Sequence, residues 1–226
     1  MCGRYTFAGP MDDVAEHFQL ADPPKGLAPR YNVAPGQAVA VVALKSDGER
    51  FGLAHLKWGL VPDWADSPDR GIRPVNARDD SMGKPMFARL FAAQRCLLPA
   101  TGFYEWRVTG RRKEPVHFSL TGGGLMAFAG LWSVWTDGTR KVPTVCLITT
   151  TPNELVRDYH DRMPVIVPPR DYHRWLSNDT PPKELKAMLR PYPAEGMAAR
   201  LANPVVNKAT VEGPECLAAA QPAPAR

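Results

Sequence analysis

The chain opens Met1-Cys2-Gly3-Arg4-Tyr5, which places a cysteine directly behind the initiator methionine. Methionine aminopeptidases tolerate a small second side chain, so the mature chain is expected to begin at Cys2. An N-terminal cysteine carries an amine and a thiol on adjacent carbons. The amine can condense with an aldehyde to an imine, and the thiol can then close onto the same carbon as a five-membered thiazolidine. No internal cysteine can do this. An α-amine titrates near 7.7–8.0 against about 10.4 for lysine, so near pH 7 it is neutral roughly 300-fold more often. It is a nucleophile that needs little tuning. Many chains carry a small residue at position 2, however, so the chemistry needs partners.

Three further segments offer them. In Gly102-Phe103-Tyr104-Glu105-Trp106 a carboxylate sits among aromatics. Strand alternation puts Phe103 and Glu105 on one face and Tyr104 and Trp106 on the other. A glutamate on an apolar surface has a raised pKa and can shuttle protons near neutrality; the competing reading pairs Glu105 with Arg107 in solvent. His160, in Tyr159-His160-Asp161-Arg162-Met163-Pro164, is suited either to acid–base work or to capping the end of a preceding helix. In Asn76-Ala77-Arg78-Asp79 the amide can orient a polar substrate atom and the guanidinium can fork onto a phosphate. The alternative there is an Asn turn with Arg78 paired to Asp79 or Asp80. Trp58, Trp64 and Trp106 supply aromatic faces for unpaired bases or for the core.

These residues must be positioned by short strands. Val-, Leu- and aromatic-rich runs predict strands at 38–44, 51–57, 95–98, 102–108, 115–120, 124–130, 143–149 and 164–167. Helices are predicted at 11–20, 85–94, 152–158, 169–176 and 181–190. The helix at 152–158 has a start signal in Thr151, Pro152 and Glu154. Most of the 24 prolines fall between apolar runs as punctuation. Strands without regularly alternating helices imply an α+β fold, its largely antiparallel sheet curled toward a barrel and flanked by short helices. One domain is expected over residues 1–217, with a loose tail at 218–226.

Composition narrows the function class. No segment reaches the length of a membrane span, and charged residues at Arg4, Asp12 and Asp13 break any signal-like run. The four cysteines (Cys2, Cys96, Cys146, Cys216) show neither C-x-x-C pairing nor metal-ligand spacing. A reducing cytoplasmic setting with no metal and no small-molecule cofactor is expected. The net charge of +5 is uneven: residues 70–113 hold ten Lys/Arg against three acids, including Arg111-Arg112-Lys113. A basic centre in a mildly acidic frame suits a phosphate-rich partner.

Taken in order, the motifs resemble the SRAP family (SOS-response-associated peptidase-like proteins). The resemblance rests on Met-Cys-Gly-Arg-Tyr at 1–5, Arg-Tyr-Asn-Val-Ala-Pro-Gly at 30–36, Trp-Gly-Leu-Val-Pro at 58–62 and Asn-Ala-Arg at 76–78. It continues through Gly-Phe-Tyr-Glu-Trp at 102–106, Thr149 and His-Asp-Arg-Met-Pro at 160–164, while Asn203-Pro204-Val205-Val206-Asn207 looks like the family's C-terminal strand. The resemblance implies a protein that traps abasic sites in single-stranded DNA as a thiazolidine on Cys2 after Met1 removal. It implies Cys2 as nucleophile, Asn76 positioning the N-terminus or sugar, and Glu105 and His160 handling protons. Arg4, Arg78 and Arg162 would contact phosphates, Thr149 would line the pocket, and Trp64 and Trp106 would stack or pack beneath the strand. Self-catalysed exposure of Cys2 is a related activity that the family's peptidase name suggests.

Two other readings compete. Class II glutamine amidotransferases also begin Met-Cys-Gly and attack an amide carbonyl, but their later glutamine-binding motifs are not visible here. A non-catalytic single-stranded DNA binder would leave Cys2 incidental and give salt-sensitive binding without a covalent product. Nothing in the sequence demands more than a monomer, which would sit with DNA in the nucleoid when bound.

Overall fold

The computed structural model describes residues 2–9, 11–22, 26–45, 48–110 and 112–218. Met1, Arg111 of the basic turn and all of the expected tail except Ala218 therefore lie outside the described residues. In chain order the elements are β1 (Tyr5–Phe7), α1 (Val14–His17), β2 (Arg30–Val33), β3 (Ala38–Leu44), β4 (Phe51–Trp58), β5 (Asn76–Arg78), α2 (Pro85–Ala93), β6 (Arg95–Ala100), β7 (Gly102–Thr109) and β8 (Arg112–Leu120). They continue with β9 (Met126–Thr136), β10 (Lys141–Thr150), β11 (Met163–Pro164), β12 (Ile166–Val167), α3 (Tyr172–Leu176), α4 (Pro182–Met188) and β13 (Met197–Leu201).

Five strands close on themselves: β10 pairs with β4, β4 with β3, β3 with β6, β6 with β9, and β9 returns to β10. Closure removes the exposed edges that an open sheet would leave unpaired. The β10–β4 contact is parallel (Thr144↔Lys57, Val145↔Trp58), and β5 continues that edge in parallel (Leu147↔Asn76, Thr149↔Arg78). The rest of the ring is antiparallel. Its interior is tight enough to require a bare backbone at Gly130, where a Cβ would lie 2.4 Å from Leu98 Cδ1 and 3.0 Å from Cys96 Sγ.

A second, five-stranded antiparallel sheet runs β13-β8-β7-β1-β2. One face lays Tyr5, Phe103 and Phe118 into the main core, where Tyr5 and Phe103 meet Phe128 of the barrel edge-on. The other face carries Tyr104, which packs with Ala202, Val206 and Cys216 from the C-terminal segment. The predicted alternation along β7 therefore serves two separate apolar clusters. Gly102 opens that strand because a Cβ there would meet His117 Nε2 at 2.3 Å and Phe118 O at 2.5 Å.

Two expected elements differ. Residues 152–158 form turns rather than a helix. The cap is Asn153, not Thr151: its Oδ1 accepts from Val156 N (3.0 Å) while its Nδ2 donates to Tyr192 O (2.7 Å), so tertiary bonding fixes the segment. Residues Pro204–Asn207 form a 3-10 turn rather than a strand, with Asn203 accepting from Val205 N and proline at the first position. The short strands β1, β2, β5 and β13 are additions to the expected set.

Candidate functional site

Cys2 lies immediately before β1, fully buried against the main core. Its carbonyl accepts from Asn76 Nδ2 at 2.9 Å. Asn76 is the first residue of β5, and that strand's pairing to β10 fixes its register beside Leu147. The amide's Oδ1 is buried with no partner among the described residues, an acceptor left for something else.

Glu105 stands at the centre of β7, 3% exposed. The solvated pairing with Arg107 does not occur, since Arg107 bonds Glu114 across the strands instead. Burial, with the charge of Asp161 adding to it, raises the Glu105 carboxyl to about 7. Its Oε1 has no hydrogen-bond partner among the described residues. Burial and then the Glu105 charge push the Cys2 thiol well above its ordinary value, partly offset by the Arg4 backbone N–H on the sulfur. Near neutral pH the sulfur is therefore a protonated thiol beside a carboxyl poised to exchange a proton.

His160 follows β10, in the loop before β11. Its Nδ1 accepts from Arg162 N at 2.9 Å and also lies 2.9 Å from Asp161 Oδ1. The first contact requires the proton on Nε2, whereas a ring protonated on Nδ1, neutral or cationic, donates to the second. Burial lowers the His160 pKa, which favours the neutral ring, and the bond from Arg162 N to Nδ1 selects the tautomer protonated on Nε2. With no helix at 152–158 to cap, the capping reading falls away. Arg162 is almost buried: its Nη2 donates to Asp79 Oδ1 at 2.6 Å and to Thr149 O. Thr150 Oγ1 donates to the other oxygen of Asp79 at 2.8 Å, so Asp79 ties the 160–163 loop to the end of β10.

The polar atoms converge where the end of β10, the start of β5, the centre of β7 and the N-terminal segment meet. The sequence model of the family described as SOS response associated peptidase (SRAP) matches residues 1–209. This chain belongs to the SRAP family. It is 38% identical over 223 residues to the abasic site processing protein YoqW of Bacillus subtilis, covering 96% of this chain and 99% of that one. It is 28% identical to the abasic site processing protein YedK of Escherichia coli over 81% of this chain and 83% of that one. It is 27% identical to the abasic site processing protein HMCES of Xenopus tropicalis over 97% of this chain and 78% of that one. In fold, a crystallised protein from Bacteroides thetaiotaomicron superposes with a TM-score of 0.86, at 24% identity over 97% of this chain and all of that one.

Within this SRAP chain the remaining expected residues divide by exposure. Arg78 is solvent-facing and paired with Asp80 (Nη2–Oδ2 2.8 Å). Thr149 is buried at the end of β10, opposite Pro164. Trp106 is partly buried, donates to Asn207 Oδ1 at 2.6 Å and lies 5.7 Å from the Arg4 guanidinium carbon. Trp64 is 66% exposed in a cleft with Pro62, Ile72 and Met86. Trp58 is a core residue with its Nε1 on Val75 O. Among the described residues no three metal-ligating side chains cluster, and no helix is long and apolar enough to cross a membrane.

Nothing in the sequence singles out Asn32 or Glu212, and Asp79, expected as one possible partner of Arg78, pairs with Arg162 instead. Asn32 lies inside the Arg30–Gly36 motif, but its partners are about 180 residues away. Only the joint recurrence of the two motifs could have linked them.

Proposed function

We propose that this chain processes abasic sites in DNA by covalent capture, with Cys2 as the reacting residue once Met1 has been removed. The observation that carries the reading is the convergence on Cys2: Asn76 holds its carbonyl, and the Glu105 charge acts on its thiol. The relatives are abasic site processing proteins, which supports the same substrate.

The free α-amine of Cys2 adds to the aldehyde carbon of the ring-opened sugar, giving a carbinolamine, and loss of one water gives the imine. The sulfur then adds to the imine carbon while its proton passes, by way of Glu105, to the nitrogen. The product is a thiazolidine, and the overall loss is one water. Because the thiol is held protonated, the amine makes the first bond and the sulfur closes the ring. The Glu105 carboxyl protonates the departing carbinolamine hydroxyl and recovers a proton from the nitrogen as the imine forms, while neutral His160 holds that hydroxyl with its Nε2–H. Asn76 binds residue 2 through a carbonyl that survives Met1 removal, so the anchor is common to both forms.

The DNA is read as single-stranded, since the aldehyde must reach a nucleophile held at the bottom of the site. Arg4 and Arg78 contact phosphates, Trp64 and Trp106 stack against the strand, and Arg162 with Thr149 shapes the pocket wall. Residues 1–217 act as one monomeric domain in the cytoplasm, where the DNA is. Intact mass spectrometry after mixing with a single-stranded oligonucleotide bearing one abasic site tests the reading. A species equal to the Met1-less chain plus DNA minus one water supports it. A processed chain that forms no adduct overturns it and directs attention to glutamine hydrolysis.

A further inference from the structure

Two inward-facing arginines differ in how their donors are spent. Arg95, 3% exposed, gives Nε to Trp175 O, Nη1 to Phe91 O and Ala92 O, and Nη2 to Ser177 O and Asn178 Oδ1. It has nothing left to offer a ligand. Arg4 is half-buried and uses only Nη1, on Asn32 Oδ1 (2.7 Å) and Val206 O (2.6 Å). Among the described residues its buried Nε has no partner, and its hydrogen bonds run from Nη1 alone, leaving Nη2 with no acceptor there. The Nε/Nη2 side of a guanidinium is a fork that matches two oxygens of one phosphate. A buried donor left unpaired is costly, so the open edge needs an occupant.

The residue that turns Arg4 this way is itself fully held. Asn32 is 0% exposed; its Oδ1 accepts from Arg4, while its Nδ2 donates to Val211 O (2.7 Å), Lys208 O (3.0 Å) and Val206 O (3.3 Å). Glu212 then locks the main chain, its Oε1 accepting from Tyr31 N (2.8 Å) and Asn32 N (2.9 Å) and its Oε2 from Arg30 (2.9 Å). The same C-terminal segment supplies Asn207, which holds the Trp106 indole beside Arg4.

We propose that Asn32, braced by residues 203–212, is a positioning residue for DNA binding: it pins Nη1 of Arg4 so that the Nε/Nη2 edge meets one backbone phosphate next to Cys2. The inference rests on DNA being the ligand of this site.

The test is a double-mutant cycle on noncovalent binding, with a single-stranded oligonucleotide whose abasic analogue is a tetrahydrofuran spacer without an aldehyde. Asn32→Ala should weaken binding roughly tenfold, the worth of one charge-assisted contact. The slope of log K against log salt should shrink by about 0.7, one phosphate on a single strand. In an Arg4→Ala background the same change should cost nothing more. The maximal crosslinking rate at saturating abasic DNA should be unchanged. Full affinity in Asn32→Ala, or an equal further loss in the Arg4→Ala background, would overturn the proposal by returning Asn32 to plain architecture. Should Asn32→Ala not fold, Glu212→Ala, whose side chain is 32% exposed, makes the same comparison with an expected loss of roughly threefold. A wild-type chain that binds the spacer strand but forms no adduct with the aldehyde would fault the crosslinking chemistry and leave the Asn32 comparison standing. A wild-type chain that does not bind the spacer strand overturns both.

Discussion

The closed barrel and the seam where it meets the five-stranded sheet are both buried, but they treat polar atoms differently. On the barrel, Arg95 and Thr144 are bonded throughout, and Ser133 Oγ is its one buried side-chain atom without a partner among the described residues. Along the seam Arg4 Nε, Asn76 Oδ1, Glu105 Oε1, His117 Nδ1 and Arg162 Nε all lack partners among the described residues. Each unpaired buried group costs about 1–3 kcal/mol, so the seam holds unspent capacity that the barrel does not. The difference teaches where to look: saturation marks scaffold, and unspent donors and acceptors mark a site.

The sharpest way to break that comparison uses two buried cysteines, one from each region. Cys2→Ala should lower the yield of heat-stable crosslink by at least about 100-fold, because no thiol remains to close the ring. Some reversible imine should survive through the new α-amine. Cys146→Ala, inside β10, should crosslink normally and cost only about 1–2 kcal/mol in urea unfolding as a small cavity. Equal heat-stable yields from the wild type and Cys2→Ala would sink ring closure.

Next in size is His117, opposite Tyr104 on β8. Burial lowers it from 6.5 to about 3, with Arg200 contributing, and its Nε2 meets Thr6 Oγ1 at 3.0 Å. Here the folded pKa lies below the unfolded one. The contribution is present above 6.5 and is lost as pH falls from 6.5 toward 3, a span on the order of 4–5 kcal/mol. His117→Gln should flatten that acid limb in denaturant titrations. An unchanged limb would mean that carboxylates alone set the acid lability.

The paired arginines rank third. Arg95→Ala strands several buried carbonyls and should cost at least about 3 kcal/mol of stability while leaving DNA affinity intact in the folded fraction. Arg4→Ala should do the reverse, costing about 1 kcal/mol or less of stability but weakening strand binding. Matching stability losses would dissolve the distinction between spent and unspent donors.

How far the sequence foretold this depends on the range of the interaction. β3 was legible residue for residue, because an uninterrupted apolar run states its own boundaries. The alternation of Phe103, Tyr104, Glu105 and Trp106 likewise read through to two separate clusters. The turn at 152–158 misled because its capping signal is local, while the bonds from Asn153 to Tyr192 and Met163 that decide it are not. For the proposed site, motif order singled out Cys2, Asn76 and Glu105, which the fold brings together, and alternation allowed the burial of Glu105. Asn32 and Glu212 escaped because a brace between residues 180 positions apart leaves no periodic trace. Arg162 and Arg78 look alike in sequence; only the fold separates a guanidinium held by Asp79 from one turned to solvent.

Glu105 gives the most direct test of the seam. Its carboxyl is raised from 4.5 to about 7, mainly by burial, which is the opposite sign of linkage from His117 one strand away. For an acid with a raised folded pKa, the contribution is fully present below 4.5 and is lost as pH rises through 7. Ionised Glu105 therefore strains the fold at neutral and alkaline pH by on the order of 3 kcal/mol. Glu105→Gln keeps the shape and removes the charge. Its midpoint in urea should exceed the wild type's at pH 8, the two should converge near pH 4, and the crosslinking rate should fall by roughly 100-fold or more. A variant less stable than wild type at pH 8 would show that the carboxylate is held by a favourable partner. The seam would then be as saturated as the barrel, and the reason for reading it as a site would lapse.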